Sequence, residues 1–575
     1  MNVTESYDLW RKMTADEPDL KAELDSIEGD EAAIYDRFFC GLDFGTGGLR
    51  GVIGAGANRM NVFTVACATQ GYANYLLDKN PAASVAIAYD SRIKSDVFAR
   101  TAAGVMAASG VRVFIYPELM PTPMLSFAVR TLKCDGGIVV TASHNPAKYN
   151  GYKVYAPDGC QLLDDDSRRV IEYVERVDVF GGVKRMDFDE AVNSGRICYI
   201  GNEINDAFYA AVEACEINKG LLSGTDLKVL YTPLNGTGNK PVRTVLGRLG
   251  LGCVDVVKAQ ELPDGNFPTA PFPNPEIREA FNAGFEQAAG KDYDLLIATD
   301  PDADRAGIAV GIAHGTKEGY KLMSGNEVGA LLMYYTLKQR RAQGTLPENP
   351  VCVKTIVSTD MCFKIAAEFG AELREVLTGF KYIGEQITML HEQGRESDFV
   401  MGFEESYGYL TGTHVREKDA VNAASMICEM AAWYKAQGKT LIDAVNELYQ
   451  AYGYYVQSQI SFTCEGAEGL GRMKDIMQSL RADTPKTVGG LEVESVADYD
   501  ARKKTDLPSG TVSDINLPRS NVLTFALKGG AKAIVRPSGT EPKIKVYLMA
   551  NESTPEGSES VIGRIGEDMS RLMGF

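Results

Sequence analysis

The length, composition and charge of the chain exclude several classes of protein. Its 575 residues, 45% of them hydrophobic and 24% charged, are typical of a globular protein with roughly three to five domains. A net charge of −18 argues against nucleic acid or an anionic membrane as a partner, because both require a basic surface. The apolar stretches are shorter than the ~20 residues that span a bilayer, and the polar start is unlike a secretory signal. We expect a cytoplasmic protein with no membrane segment.

The cysteines indicate neither a metal site nor a disulfide framework. All eleven are scattered along the chain without close pairs, whereas zinc ligands and disulfide scaffolds show short, regular spacings. We therefore expect buried, reduced thiols.

Strand-length apolar runs alternate with longer stretches of helical period, which predicts βα units with mainly parallel sheets. The predicted strands include residues 84–89, 111–116, 136–140, 227–231 and 294–298, and two of the predicted helices cover 96–109 and 326–341. Breaks in this pattern predict domains at 1–201, 202–321, 322–455 and 456–575. The last of these mixes short strands with Gly and Pro turns, so we expect it to be a smaller α+β domain.

The first informative loop is residues 141–146, Thr-Ala-Ser-His-Asn-Pro, which follows the predicted strand at 136–140. Pro146 is typical of the first turn of a helix, so we expect a helix to follow. Backbone N–H groups and the helix dipole at such a junction favour a phosphate or another anion. Ser143 is therefore a candidate phosphoryl carrier beside the imidazole of His144, and an ordinary helix cap is the alternative.

A second loop places three carboxylates at alternate positions, Asp300, Asp302 and Asp304, directly after a predicted strand. Such a set can converge on a hard divalent cation, and Mg²⁺ is the natural candidate. An EF-hand would need Gly at the position of Arg305 and Glu at that of Gly311. The haloacid-dehalogenase phosphatase pattern would need Thr or Val in place of Asp304. A solvated acidic turn remains the alternative.

A third loop, residues 402–408, carries Glu404, Glu405 and Ser406 between glycines. Paired acceptors with a hydroxyl suit sugar hydroxyl groups, and an exposed acidic turn is the alternative. The densely charged segment 414–419 follows this loop. Such a segment is as typical of the start of a helix as it is of a functional site.

A fourth loop, residues 536–543, follows a predicted strand and combines a guanidinium, two hydroxyls and a glycine. This makes a plausible phosphate clamp, and a Pro/Gly turn is the alternative.

Near the N-terminus the Gly-rich segment 45–51 carries Arg50 where a dinucleotide fingerprint needs its third glycine. A nicotinamide site is not supported, but the segment can bring Arg50 close to an anion.

The order and approximate spacing of the four loops resemble the α-D-phosphohexomutase family, in particular its phosphoglucomutases, over nearly the whole chain. The resemblance implies three similar α/β domains with mixed or parallel sheets, and a smaller C-terminal α+β domain, around a central cleft. It also implies a phosphorylated Ser143, with Mg²⁺ held by the phosphoserine and by Asp300, Asp302 and Asp304. The implied reaction is reversible conversion of glucose 1-phosphate and glucose 6-phosphate, with glucose 1,6-bisphosphate as intermediate and activator.

The same resemblance implies further roles for residues around the cleft. The candidate proton-transfer groups are His144, Lys153 and Lys418. The groups expected to bind the phosphosugar substrate are Arg50, Arg305, Thr378, Gly379, Lys381, Glu404, Ser406, Arg536, Ser538, Gly539 and Thr540. Which candidate handles the proton stays open at this point.

Sugar identity is where the resemblance is weakest. Glu-Glu-Ser at 404–406 resembles the glucose-binding form, whereas mannose-accepting relatives usually carry Glu-Met-Ser. Phe403, however, stands where Gly is often found, and residues 402–405 also resemble relatives that act on phosphopentoses or make glucose 1,6-bisphosphate. Glucose is favoured. The alternatives are a phosphopentomutase, a phosphomannomutase or a catalytically silent sugar-phosphate-binding protein. Nothing in the sequence indicates the oligomeric state.

Overall fold

The computed structural model describes residues 2–42, 44–45, 47–313, 316, 318–464, 467–538 and 543–575. Three short helices open the chain: α1 (Val3–Met13), α2 (Pro18–Ser26) and α3 (Glu31–Phe38). They enclose a small aromatic core around Trp10 and Phe38. A capping box at Asn2 and Glu5 begins α1.

The first sheet has the strand order β1-β2-β6-β5-β3-β4-β7. Its strands are β1 (Phe44–Gly45), β2 (Gly48–Val52), β3 (Ser84–Tyr89), β4 (Arg112–Ile115), β5 (Gly136–Val140), β6 (Tyr149–Tyr155) and β7 (Ile197–Tyr199). Its helices are α4 (Val62–Lys79), α5 (Ser95–Ser109), α6 (Thr122–Thr131), α7 (Asp164–Glu175), α8 (Phe188–Asn193) and α9 (Asn202–Glu213). Strands β3, β4, β5 and β7 run parallel, while β6 is antiparallel to β2 and β5. The sheet is therefore mixed.

The second sheet has the order β12-β11-β10-β8-β9. Its strands are β8 (Val229–Thr232), β9 (Val254–Val256), β10 (Leu295–Thr299), β11 (Ala306–Gly311) and β12 (Tyr320–Met323), with helices α10 (Asn239–Arg248) and α11 (Asn282–Ala288). Parallel β8 and β10 are buried throughout, as expected of strands covered on both faces. Antiparallel β10 and β11 are joined by the loop that carries the three aspartates.

The third region contains α12 (Gly325–Ala342), β13 (Val351–Thr355), α13 (Met361–Phe369), β14 (Glu372–Val376), α14 (Phe380–Glu392), β15 (Phe399–Glu404), β16 (Gly408–Leu410), α15 (Ala420–Lys435) and α16 (Leu441–Tyr452). Strands β13 and β14 pair in parallel, and β15 lies on the other side of β13. These pairings give the third α/β sheet that the resemblance implies.

The C-terminal region is an antiparallel sheet with a helix before most of its strands and another at its end. Its elements are β17 (Tyr454–Thr463), α17 (Ala467–Ala482), β18 (Thr487–Val488), β19 (Leu491–Asp498), β20 (Lys503–Asp506), β21 (Val512–Asp514), β22 (Leu523–Leu527), β23 (Lys532–Pro537), β24 (Lys543–Glu552) and α18 (Pro555–Leu572). The order is β17-β24-β23-β22-β19-β20-β21, with β18 beside β19. The predicted fold class of three α/β sheets and a smaller α+β region is confirmed.

The chain forms two compact units. The first runs up to Ser324 and adds Phe380–Phe399 and Ser406–Thr440, and the second comprises Gly325–Gly379, Val400–Glu405 and Leu441–Phe575. None of the helices in the described part of the chain has the length and apolarity that a bilayer span requires. Six of the eleven thiols are buried, but Cys40 and Cys253 are exposed, so the expectation of buried cysteines is wrong for these two.

Candidate active site

Ser143 lies in the loop between the antiparallel strands β5 and β6, and it is 3% exposed. The helix expected after Pro146 is absent. Instead the chain turns, the amide of Tyr149 donates to the carbonyl of Pro146 at 3.0 Å, and β6 begins. The residues around Pro146 are compatible both with the start of a helix and with a turn into an antiparallel strand, so the sequence alone could not distinguish the two. Because no helix follows, no helix dipole acts on Ser143.

The backbone of Ser143 has a left-handed conformation, with φ of 50°. Its amide donates to Oγ1 of Thr141 at 2.8 Å. A non-glycine residue in this region costs of order 1 kcal/mol, so it persists only where the surroundings hold it. Gly151 on β6 contributes, because a Cβ there would lie 2.4 Å from the carbonyl oxygen of Thr141.

Arg92 fastens the whole serine loop, and the sequence reasoning missed it. Its guanidinium donates to the carbonyls of Pro146 and Tyr149 at 3.1 Å each, and also to those of Ser143 and Asn145. The buried carboxylate of Asp90 forms an ion pair with it, Nε to Oδ2 at 3.3 Å. The available signal was the Asp-Ser-Arg sequence directly after β3.

Asp300, Asp302 and Asp304, here called the aspartate cluster, occupy the tight loop between β10 and β11. Each is at most 1% exposed, and one oxygen of each lies within 4.8 Å of the others. The solvated acidic turn considered as an alternative is therefore wrong. Oδ1 of Asp300 accepts the amides of Asp304 and Arg305 at 3.1 and 3.0 Å, and Oδ2 accepts the Ser143 hydroxyl at 2.7 Å. The serine and aspartate loops thus meet directly.

Two lysines from different elements contact the aspartate cluster. Nζ of Lys153, on β6, lies 3.2 Å from Oδ2 of Asp302 and 3.6 Å from Oδ2 of Asp304. Nζ of Lys418 lies 3.0 Å from the same Asp304 oxygen. The hydroxyl of Thr122, another residue that sequence reasoning missed, donates to Oδ2 of Asp302 at 2.9 Å.

The aspartate cluster fits a divalent cation. Oδ1 of Asp302 and Oδ1 of Asp304 are buried and accept no hydrogen bond from the described residues, while Oδ2 of Asp304 faces the ammonium groups of the two lysines. Burial and the neighbouring charges of Asp304 and Asp302 raise the pKa of Asp300 well above its ordinary value. Burial opposes ionisation of Asp302, but Lys153 and Lys418 hold its pKa below the ordinary value. Three converging carboxylates with unused oxygens are the donor set that hard cations prefer.

His144 stands beside the serine hydroxyl. Its Nδ1 lies 3.2 Å from Oγ of Ser143. Burial and the guanidinium groups of Arg305 and Arg50 hold the pKa of His144 well below its ordinary value. Arg50 reaches this region from β2, where it pairs opposite Gly151. Arg305 is also ion-paired with Glu276.

The charged segment 414–419 both begins a helix and positions Lys418. Asp419 caps α15, as its carboxylate accepts the amides of Val421 and Asn422 at 2.8 and 3.1 Å. The fully buried Arg416 is held by the carbonyl of Thr413 at 2.7 Å and by Glu396 at 2.8 Å. Glu417 accepts the Tyr155 hydroxyl at 3.1 Å and the Lys418 amide at 3.1 Å.

The remaining candidates are described by the contacts within their own unit. Lys381 is bound to Asp164 at 2.5 Å. Within the second unit, Oε1 of Glu404, at the end of β15, accepts the Gly379 amide at 2.8 Å, and the hydroxyl of Thr378, the preceding residue in the chain, is buried. Arg536 ends β23 opposite Lys545, and the Ser538 amide bonds the Lys543 carbonyl at 2.7 Å. Ser406 follows β15 in the first unit, whereas Gly539 and Thr540 lie outside the described residues.

The sequence matches three domain models of one family. They are described as phosphoglucomutase/phosphomannomutase alpha/beta/alpha domain I, over residues 41–179, domain II, over 206–312, and domain III, over 324–452. The chain belongs to this family. The membership confirms the α-D-phosphohexomutase resemblance, while the domain boundaries predicted at 201, 321 and 455 stay predictions.

Individual relatives agree with the family assignment. A phosphoglucomutase of Staphylococcus epidermidis is 38% identical over 88% of this chain and 90% of its own. Among solved structures, pp63/parafusin of Paramecium, a phosphoglucomutase, matches with a TM-score of 0.68 at 18% identity, over 93% of this chain and 96% of its own. Aspergillus fumigatus N-acetylphosphoglucosamine mutase, solved with GlcNAc-6P and magnesium, matches with a TM-score of 0.51 at 12% identity, over 94% and 98%. The two structures support the fold.

Proposed function

We propose that this chain interconverts glucose 1-phosphate and glucose 6-phosphate, with Ser143 carrying a phosphoryl group between the two ends of the sugar. The observation that carries the proposal is the 2.7 Å contact from the Ser143 hydroxyl to Asp300, inside an aspartate cluster that two lysines also contact. The full-length relative named phosphoglucomutase at 38% identity supports glucose as the sugar.

The reaction begins with a phosphorylated Ser143. O6 of glucose 1-phosphate attacks the phosphorus, the bond from phosphorus to Oγ breaks, and the O6 proton reaches Oγ through a protein base. The product of this half is glucose 1,6-bisphosphate. After the intermediate has turned, Oγ of Ser143 attacks the phosphorus on O1, the bond from phosphorus to O1 breaks, and the proton of Oγ passes to O1. Glucose 6-phosphate leaves and the phosphoserine is restored.

Phosphoryl transfer depends mainly on positioning and on neutralising the oxygens of the transferred group. Lys153 and Lys418 bring two ammonium groups to the place where that group is passed. Mg²⁺ held by Asp300, Asp302, Asp304 and an oxygen of the phosphoserine would supply further positive charge there. The unused buried oxygens of the cluster support this role.

Among the three proton-transfer candidates we favour His144. Its Nδ1 is within 3.2 Å of Oγ, and a base must first be within hydrogen-bond reach of the proton it moves. Lys153 and Lys418 instead contact carboxylates, which suits an electrostatic role. Arg92 acts as a positioning residue, because it bonds the loop backbone rather than Oγ.

We propose that Glu404 and Ser406 hydrogen-bond to hydroxyl groups of the sugar. The Gly379 amide fixes one Glu404 oxygen and so orients the carboxylate. The distal phosphate is assigned to Arg536, Ser538, Gly539 and Thr540. Further contacts are assigned to Arg50, Arg305, Thr378, Gly379 and Lys381, although Lys381 would first have to leave Asp164.

The test is a turnover assay with glucose 1-phosphate, Mg²⁺ and a trace of glucose 1,6-bisphosphate. Ser143→Ala should lower kcat/KM by at least about 10³-fold, since the carrier oxygen is gone. The exposed Ser194, at the end of α8, supplies the matched control, and Ser194→Ala should keep full turnover. Full turnover by Ser143→Ala would end the proposal.

Two measurements separate the alternatives. Higher kcat/KM for mannose or ribose phosphates than for glucose phosphates would identify a phosphomannomutase or phosphopentomutase, since specificity is a ratio of these constants. Mass spectrometry after incubation with the bisphosphate should find one phosphate on Ser143. No turnover together with an unmodified Ser143 would identify a silent binding protein.

A further inference from the structure

A cysteine, a histidine and an aspartate come together in a second group of side chains, none of which is a candidate for the mutase site; the aspartate directly follows Lys418 in the chain. Asp419 is fully buried, and its Oδ1 is used in capping α15. Its Oδ2 lies 2.9 Å from Nε2 of His414. Because an ionised carboxylate can only accept, Nε2 carries the proton of this contact. The imidazole is therefore fixed with Nδ1 pointing away from Asp419.

The other ring nitrogen of His414 faces a thiol. The imidazole is 6% exposed, and its buried Nδ1 has no hydrogen-bond partner among the described residues. A Cβ built on Gly412 would lie 2.7 Å from Sγ of Cys215 and 2.8 Å from Nδ1. Both atoms therefore border the same small space, which only a glycine at 412 leaves open. Cys215 follows α9 and is partly exposed.

We propose that Cys215 is a modification site, the thiol at which this chain reacts preferentially with hydroperoxides and other soft electrophiles. His414 is the partner of the thiolate, and Asp419 orients His414. The proposal is independent of the mutase reaction. A thiol, an imidazole and an acceptor in sequence is the arrangement that activates cysteine nucleophiles in general.

The charge state of His414 agrees with this arrangement. Burial disfavours the imidazolium, but the contacts with Asp419 and Cys215 outweigh burial and raise the pKa of His414 to about 9. At neutral pH the ring then presents an N–H group on Nδ1 to the sulfur. Burial raises the pKa of two other thiols, that of Cys134 to about 11 and that of Cys362 to about 12.

The oxidation step is balanced without further reactants. The Cys215 thiolate attacks one oxygen of hydrogen peroxide, so that the sulfur–oxygen bond forms and the oxygen–oxygen bond breaks. The departing hydroxide takes the proton from Nδ1 of the His414 imidazolium and leaves as water. The sulfur is oxidised by two electrons to a sulfenic acid, and the peroxide is reduced.

The experiment follows each cysteine of the full chain by peptide mass spectrometry during treatment with hydrogen peroxide and a dimedone-type sulfenic acid trap at pH 7. Cys253 is exposed and serves as the internal control in the same molecule. Cys215 should be labelled at least about tenfold faster than Cys253. In His414→Gln the Cys215 rate should fall to that of Cys253, while the Cys253 rate stays the same.

Equal rates at the two cysteines in the native chain, or an unchanged Cys215 rate in His414→Gln, would overturn the proposal. A comparison without any variant covers the case in which His414→Gln fails to fold. Iodoacetamide should alkylate Cys215 faster in the native chain than in urea, although the native thiol is the less exposed one. A slower native rate contradicts the proposal.

Discussion

Two ionic clusters use the same side-chain chemistry, one fully buried and one built around a single buried lysine, and they differ in the number of acceptors left without a hydrogen bond. In the aspartate cluster, the ammonium groups of Lys153 and Lys418 face two of the three carboxylates, and Oδ1 of Asp302 and Oδ1 of Asp304 accept no hydrogen bond from described residues. The second, here called the Lys354 cluster, consists of Lys354, Asp360, Glu375 and Lys532. Nζ of Lys354 donates to Glu375 at 2.6 Å and Asp360 at 3.3 Å, and Lys532 lies 2.5 Å from Asp360.

The difference teaches which buried charges to regard as a site. In the Lys354 cluster two cations meet two carboxylates, and the ammonium of Lys354 also donates to the carbonyls of Thr355 and Ser358. A pair satisfied in this way costs desolvation and offers nothing to a ligand. The aspartate cluster keeps unsatisfied acceptors, which buried groups rarely have without a purpose. Acceptors without partners, rather than burial or charge, mark the place where a cation and a phosphate belong.

After Ser143→Ala, the largest effect is expected from Asp302→Asn, which removes charge from the aspartate cluster and keeps its shape. The Thr122 hydroxyl can still donate to the Asn oxygen, so the fold should be almost unaffected. Turnover should fall about 10³-fold, because the charge that holds the cation is reduced. Initial rates in the glucose 1-phosphate assay check this. Near-wild-type turnover would show that the unused oxygens are not needed.

A thermal shift makes the same comparison without turnover. At Mg²⁺ concentrations about 100 times Kd, binding to the folded state should stabilise the wild type by about 2.7 kcal/mol. The shift should be much smaller in Asp302→Asn. An equal shift in the two proteins would place the cation elsewhere.

The contrast also explains what could be predicted from the sequence. The loops at Ser143 and Asp300 were predictable because each directly follows a fully buried strand, where ligands of α/β sheets collect. Arg92 was not, because it acts through backbone carbonyls some fifty residues along the chain, which leave no side-chain pattern. The prediction of a helix after Pro146 was wrong, because the pairing of β5 with β6 determines where the chain turns and this pairing forms only in the folded sheet. The Lys354 cluster escaped prediction for the same reason, since its charges join only in the folded sheet.

The next effect is expected from Lys354→Met, which breaks the balanced cluster. Glu375 and Asp360 would lose their shared cation, and removal of one partner from a buried pair is strongly destabilising. We expect a loss of about 3 kcal/mol in the free energy of unfolding of the second unit, with turnover per folded molecule unchanged. Urea denaturation and active-site titration measure the two quantities.

The matched control for Lys354→Met is Lys528→Met in the same unit. Lys528 pairs with Glu492 at 3.7 Å, and both side chains are well exposed. Exposed pairs contribute about 0–1 kcal/mol, so this variant should unfold almost like the wild type. If both variants lose the same stability, burial of the Lys354 cluster has no energetic consequence.

The smallest effect concerns a third buried ion pair, that of His414 with Asp419. Its contribution to the free energy of unfolding depends on pH. The folded pKa of about 9 lies above the unfolded value of about 6.5. A raised pKa contributes stability that is fully present below the unfolded value and is lost as pH rises through the folded value. Relative to His414→Gln, the wild type should therefore lose about 2 kcal/mol between pH 7 and pH 9.

The charged and titratable groups around His414 decide how that result is interpreted. Asp419 faces it from the start of α15, Cys215 from the end of α9, and Arg130 of α6 donates to its carbonyl at 2.7 Å. Repeating the pH series in a Cys215→Ser background separates the carboxylate from the thiol. A pH-dependent difference that persists there assigns the pairing to Asp419, whereas its loss assigns it to the thiolate. A third outcome is a stability difference between wild type and His414→Gln that is constant with pH in both backgrounds. That result would mean that His414 is uncharged in the folded chain and that its contact with Asp419 is a hydrogen bond without an ion pair.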